Sequence, residues 1–263
     1  MSTIEWTEKT WNPVVGCTIV SPGCTNCYAM KMAARLERMS PTLEQYRGTT
    51  MQTKAGAVWT GKIGIAPDDI LTAPLRRRKP TTYFVNSMSD LFHESIPDEV
   101  IDRVFAVMAM APQHTFQVLT KRSKRMRTYV SGLSEKPDDR LSYAAYVLWG
   151  DEASVNVANW VNGFSRFRHM PDDGNPLNGT APRWPLPNVW LGVSAEDQTR
   201  ADERIPDLLA TPAAIRFVSA EPLLGPVDLT YIDDGERDGT HLTFNALDGL
   251  ARDGENLITG IFA

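Results

Sequence analysis

Four times along this chain a short apolar run, rich in β-branched and aromatic residues, gives way to a polar turn and then to apolar positions at helical spacing. Residues 82–87 read as a buried strand; Asp98 then caps a helix whose Val100, Ile101, Val104, Phe105, Val107 and Met108 share one face. Residues 115–120 form the next predicted strand, followed by a basic helix from about Ser123. Residues 188–193 precede a helix over 200–210, and residues 214–219 repeat the strand pattern. Strands alternating with helices predict an α/β fold: a parallel sheet with crossover helices, as an open sheet or a barrel.

A shorter unit of the same kind stands at the amino end. A short strand over 12–15 is expected, then a loop, then a helix over 28–39. That loop holds Cys17, Cys24 and Cys27, the three cysteines of a 263-residue chain. In parallel sheets and barrels, functional groups gather at the carboxyl ends of the strands. The cysteines are therefore expected to share a face with Ser87, Ser89, Asp90 and His93, with Thr120, Lys121 and Arg122, with Ser194, Glu196 and Asp197, and with Ser219 and Glu221.

Three thiolates can hold three irons of a four-iron cluster and leave the fourth iron open. A structural zinc site closes with four ligands, and His93 is the histidine on the expected face that would complete it. At the level of the residues both metals stand. The gaps of six and then two residues between the cysteines do not separate them.

Two stretches, about 40–75 and 132–187, interrupt the strand–helix rhythm with Gly, Pro, Trp and Asn; residues 172–182 read as an extended loop. The length suits one α/β domain over 1–263, carrying those two insertions and a tail from about 230. No apolar run is long enough to span a bilayer, and the first residues lack a basic then apolar leader, so no membrane partner is expected. A cytoplasmic setting is expected, which suits reduced thiols. The net charge of −5 argues against indiscriminate nucleic-acid binding, but cations cluster at 76–79 and 121–127, each a candidate phosphate track. Trp11 and Trp59 lie in loop-like surroundings and are candidates for stacking on a ligand or base.

Five blocks in order resemble one family: Gly16-Cys17 with Ser21-Pro22-Gly23-Cys24-Thr25-Asn26-Cys27-Tyr28-Ala29; residues 84–93; residues 117–122; residues 189–194; and residues 219–225. They are similar to a phage-associated three-cysteine family of unknown function, which is radical S-adenosylmethionine-like and distantly similar to spore photoproduct lyase. The resemblance implies a partial parallel (β/α) barrel of TIM-barrel kind in a bacterial host or phage-encoded protein. It implies a 4Fe–4S cluster on Cys17, Cys24 and Cys27, with S-adenosylmethionine on the open iron. An external electron donor and a 5′-deoxyadenosyl radical follow, with a nucleic acid or nucleotide as the substrate class. By analogy Ser87, Ser89 and Asp90 would hold the methionine amino group, Lys121 or Arg122 its carboxylate, and Glu196 a ribose hydroxyl; no catalytic residue is assigned. The usual spacing of radical enzymes is three residues and then two, and the family normally continues into a strand carrying a Gly-Gly-Glu turn; this chain departs from both. The alternative is a zinc-stabilised or degenerate barrel that binds nucleic acid or a phage partner without catalysis.

Overall fold

The apolar runs become the strands of one parallel sheet in the computed structural model, which describes residues 6–40, 42–161, 184–237, 240–247 and 260–262. In sheet order these are β1 (Lys9–Trp11), β2 (Thr82–Val85), β3 (Thr115–Thr120), β4 (Val189–Ser194), β5 (Ile215–Ser219) and β6 (Gly260–Phe262). Every neighbouring pair is parallel, and spatial order follows chain order throughout. β1 and β6 are the two edges, and among the described residues they do not pair to close a barrel.

Register sorts the side chains into two faces. Tyr83, Val85, Phe116, Val118, Leu191, Val193 and Val218 join the main hydrophobic core. The longer helices contributing to that core are α2 (Asp98–Ala109), α3 (Ser123–Glu135), α4 (Pro137–Trp149), α5 (Asp151–Val161) and α6 (Gln198–Leu209), and the four-residue helix Asp68–Leu71 adds Leu71. On the other face Leu119 pairs with Gly192 and Gly192 with Phe217, while Ser194 pairs with Ser219 one step nearer the carboxyl rim. Trp6 packs on this second face, 4.9 Å from the Phe84 ring and 6.2 Å from Phe217. The helix after the cysteines, α1 (Tyr28–Met39), instead buries Ala29 and Ala33 in a separate small cluster with Val15, Tyr46 and Met88.

Three expectations change. The sheet strand near the amino end is Lys9–Trp11, not 12–15; Val14–Val15 instead pairs antiparallel with Gly64–Ile65. Pro13 has no N–H to continue the ladder, and the Val14 N–H goes to the Asn86 side chain. Trp11 is accordingly a buried core residue donating to the Ile70 carbonyl, not a stacking platform. The stretch 40–75 contains an antiparallel hairpin, Thr50–Thr53 with Gly56–Trp59, and much of 132–187 is helical. In α4 exposed Tyr143, Tyr146 and Val147 sit beside buried Leu141, Ala144 and Ala145, which blurs the apolar stripe. The loop expected over 172–182 lies outside the described residues. The tail supplies a hairpin, Ile232–Arg237 with Thr240–Phe244, and then β6 beside β5.

Gly192 lets the second face close: a Cβ there would stand 2.5 Å from the Phe217 ring, which is fully buried. Replacing Gly192 with Val should cost about 1–3 kcal/mol through overpacking. Urea denaturation of the variant checks this, and an unchanged midpoint would count against the packing.

Candidate functional site

The cysteine loop is tied down at both ends and in the middle. At its start the Gly16 N–H donates to the Met88 carbonyl (3.0 Å), and Ser89 Oγ donates to the Gly16 carbonyl (2.7 Å). Gly16 has φ +89, and a Cβ would meet the Lys62 carbonyl at 2.1 Å, so the position requires glycine. Pro22 then opens a single 3₁₀ turn, Pro22–Cys24, and Cys27 directly precedes α1. In the middle, Ser21 Oγ donates a short hydrogen bond to Glu196 and lies 3.8 Å from Cys24 Sγ. Glu196 is fully buried, and Gly23 packs on its carboxyl group.

Above the second face of the sheet this loop walls a cavity of about 540 Å³. Cys17, Cys24 and Cys27 all line it, together with Ser87, Ser89 and Asp90 from beyond β2, and Thr120, Lys121 and Arg122 from the end of β3. Ser194, Ser219 and Glu221 come from the ends of β4 and β5, and Trp6, Tyr28, Trp59 and Phe84 add aromatic wall. None of the three cysteines is in a disulfide. Two lining residues hold buried polar atoms without a partner, Asn86 Nδ2 and Ser219 Oγ. Leaving such an atom unpaired costs about 1–3 kcal/mol, so this part of the cavity calls for a polar ligand. Asn86 is also in the left-handed region, with φ 60, held by its N–H on the Trp11 carbonyl and its Oδ1 on the Val14 N–H.

Two buried charge networks support the walls. Asp90 Oδ1 accepts from Thr120 Oγ1 (2.7 Å) and the Phe92 N–H (3.0 Å); Oδ2 accepts from the Lys121 N–H (3.0 Å) and Arg122 Nη1 (3.1 Å). Arg122 also donates to Glu94 (2.9 Å) and Thr18 Oγ1 (2.6 Å), and its Nη1 lies 3.6 Å from Cys17 Sγ. Burial works against its charge, but Asp90, Cys17 and Glu94 hold the guanidinium pKa above its ordinary value. Burial pushes the Cys17 thiol up to about 12, with Asp90 adding to the rise against Arg122, and burial also raises Cys27. In the second network Glu196 Oε2 accepts from Arg204 (2.8 Å) and Lys121 (3.4 Å). Burial raises the Glu196 pKa, but the Ser21 hydrogen bond and the Lys121 and Arg204 cations outweigh it, so the net shift is downward.

The fold thus brings together the three cysteines, Ser87, Ser89, Asp90 and Lys121, and sets Glu196 behind them as a buttress off the cavity wall. Asp90 has four donors already and acts as the support of Arg122. His93 is buried off the cavity wall; its Nδ1 accepts from the Ser95 N–H and its Nε2 contacts Thr18 Oγ1 at 3.0 Å. Burial and then Arg122 lower its pKa, which keeps the ring neutral with both nitrogens engaged. The basic run 121–127 is largely consumed inside the protein: Lys121 on Glu196, Arg122 on Asp90 and Glu94, Arg125 on Asp98 and Arg127 on Asp207. Sequence reading missed Asn86, Ser21 and Arg204. An Asn directly after a buried strand is a visible signal for a left-handed exit; nothing local marks the other two.

A family model described as a protein of unknown function, DUF5131, matches residues 1–247. The chain belongs to that family. No curated protein and no solved structure matches. The family description assigns no chemistry, so the residues themselves must be tested against the expected groups. Three free thiols on one cavity, cations beside them and two unpartnered polar atoms below fit a cluster and a polar cofactor by donor chemistry. Among the described residues, no three His, Cys, Asp or Glu side chains already converge as a metal-binding group. No helix there is long and apolar enough to cross a membrane.

Glu196→Gln leaves Arg204 and Lys121 without their buried counter-charge and should cost about 3 kcal/mol at neutral pH. The folded pKa of Glu196 lies below its ordinary value of 4.5, so its stabilisation is present above that value and is lost as pH falls through the folded pKa. Denaturation of both proteins across pH should show the gap narrowing below about pH 4.5; a constant gap would refute the assignment.

Proposed function

We propose that this protein is a radical S-adenosylmethionine enzyme in which Cys17, Cys24 and Cys27 hold a 4Fe–4S cluster and the adjoining cavity holds S-adenosylmethionine. The observation that carries the reading is that one loop lines, with three free thiols, the same cavity as the polar ends of β2, β3, β4 and β5. Chain-ordered parallel strands with five helices packed on one face support a partial (β/α) barrel of that enzyme type. When bound, the two groups would supply one-electron reductive cleavage of the sulfonium carbon–sulfur bond, with the electron from an external donor and methionine released, and hydrogen abstraction from substrate.

The chain's own residues orient and enclose. Ser89 and Gly16 fix the start of the loop, Ser21 on Glu196 its middle, and α1 its end. Lys121 lines the cavity with its Nζ 3.4 Å from Glu196, the loosest of that carboxylate's contacts, and is the cation suited to the methionine carboxylate. Asn86 Nδ2 and Ser219 Oγ are the free hydrogen-bonding atoms on the strand side. Metal binding requires the thiolates, so the loaded state displaces the proton that burial keeps on Cys17. A zinc-bound, non-catalytic module has less support, because the histidine expected as fourth ligand has both ring nitrogens engaged.

Anaerobic reconstitution should give about four irons and four sulfides per chain. After chemical reduction with S-adenosylmethionine, the protein should release 5′-deoxyadenosine. Cys17→Ala, Cys24→Ala and Cys27→Ala should each abolish that product. One zinc per chain and no nucleoside would overturn the proposal in favour of the binding module.

A further inference from the structure

The exposed stripe of α1 runs Tyr28, Lys31, Met32, Arg35, Arg38 and Met39, at helical spacings of three and four. Its three cations span about 10 Å of helix and, among the described residues, form no ion pair with a carboxylate. Among the described residues, the side-chain hydrogen bonds of Arg35 and Arg38 go to their own helix, at Met39 Sδ and the Ala34 carbonyl. The helix has no acid in its first turn, and its one carboxylate, Glu37, accepts from the Gly48 N–H. Lys31, in the first turn, opposes the helix dipole, a mild cost that a bound anion relieves, whereas Arg38 lies in the last turn, where the dipole favours it. Beside this stripe lies a groove of about 470 Å³, with Lys31, Glu37 and Arg38 on one side and Thr50, Gln52 and Ala57 of the hairpin on the other; Arg35 flanks it from the stripe. The same two elements also line the cysteine cavity, to which α1 contributes Tyr28 and the hairpin Trp59.

We infer that this exposed stripe and the groove beside it bind a single-stranded nucleic acid, with phosphates along Lys31, Arg35 and Arg38 and a base at the Tyr28–Trp59 mouth. Alternating phosphates and bases match a row of cations that ends at aromatic rings, and base stacking on aromatics tolerates any sequence. A duplex keeps its bases stacked, whereas a cavity of about 540 Å³ behind the aromatics admits an unstacked one. The inference rests on the enzyme reading only in naming its substrate class. It also relocates the phosphate contacts: run 121–127 is mostly paired internally, and run 76–79 precedes β2 at the amino end of the sheet, away from the cavity.

The test is fluorescence anisotropy of a labelled single-stranded oligonucleotide against the full chain, as purified and after reconstitution, over a salt series. Lys31→Glu/Arg35→Glu/Arg38→Glu should weaken binding at least tenfold and flatten the log–log salt slope by about 2, the loss of three phosphate contacts. Trp59→Ala should weaken it about tenfold through lost stacking. The neutral variant Lys31→Gln/Arg35→Gln/Arg38→Gln should weaken binding with an unchanged melting midpoint, which separates charge from folding. Arg76→Glu/Arg78→Glu should bind as the parent does. Equal affinity for a duplex, an unaffected triple variant, or tighter binding of polyglutamate than of the oligonucleotide would each overturn the inference. If strand binding fails while iron loading and 5′-deoxyadenosine formation persist, the groove reading alone falls.

Discussion

The carboxylate of Glu196 ties the middle of the cysteine loop to the carboxyl end of β4. It accepts from Ser21 in the loop, from Lys121 after β3 and from Arg204 on α6, and its own carbonyl accepts from the Leu224 N–H beyond β5. Four segments far apart in sequence therefore meet on one residue. A fully buried carboxylate is tolerable only with such a set of donors; without them its burial would cost several kcal/mol. The loop conformation that presents Cys24 to the cavity depends on this anchor.

Asp90 plays the corresponding part on the other side. Its four donors fix the exit of β2 against the start of α3 and aim Arg122 at Cys17. Each network uses charges that a reading of runs along the chain assigns to solvent or to phosphate. With most of those cations held inside, α1, which follows Cys27 directly, carries three cations that form no ion pair among the described residues. Cysteine loop and cationic face are then consecutive features of one stretch of chain.

Much of the architecture was legible because burial on both faces writes itself as continuous apolar runs, as in 82–85 and 115–120. The helix after Cys27 was legible too, since Ala29, Met30 and Ala33 keep one apolar side. β1 was not: among Lys9, Thr10 and Trp11 only the tryptophan is buried, and two-residue Val14–Val15 carries the stronger apolar signal. α4 and α5 were obscured by exposed aromatic and β-branched residues. The site was half legible. Strand ends locate Ser87, Ser89, Asp90 and Lys121 by position alone. Which carboxylate faces the cavity and which is spent as a buttress depends on partners up to 175 residues away, as in Ser21 with Glu196, and no local pattern encodes that.

The account turns on three sulfurs from one loop meeting at one metal centre above the sheet. Anomalous diffraction at the iron edge, from crystals of anaerobically reconstituted protein, addresses this directly. The account predicts one compact iron cluster bonded to Cys17, Cys24 and Cys27, with one iron free of protein sulfur and facing Asn86 and Ser219. Iron on fewer than the three sulfurs, or a lone zinc closed by a fourth protein ligand, would contradict it.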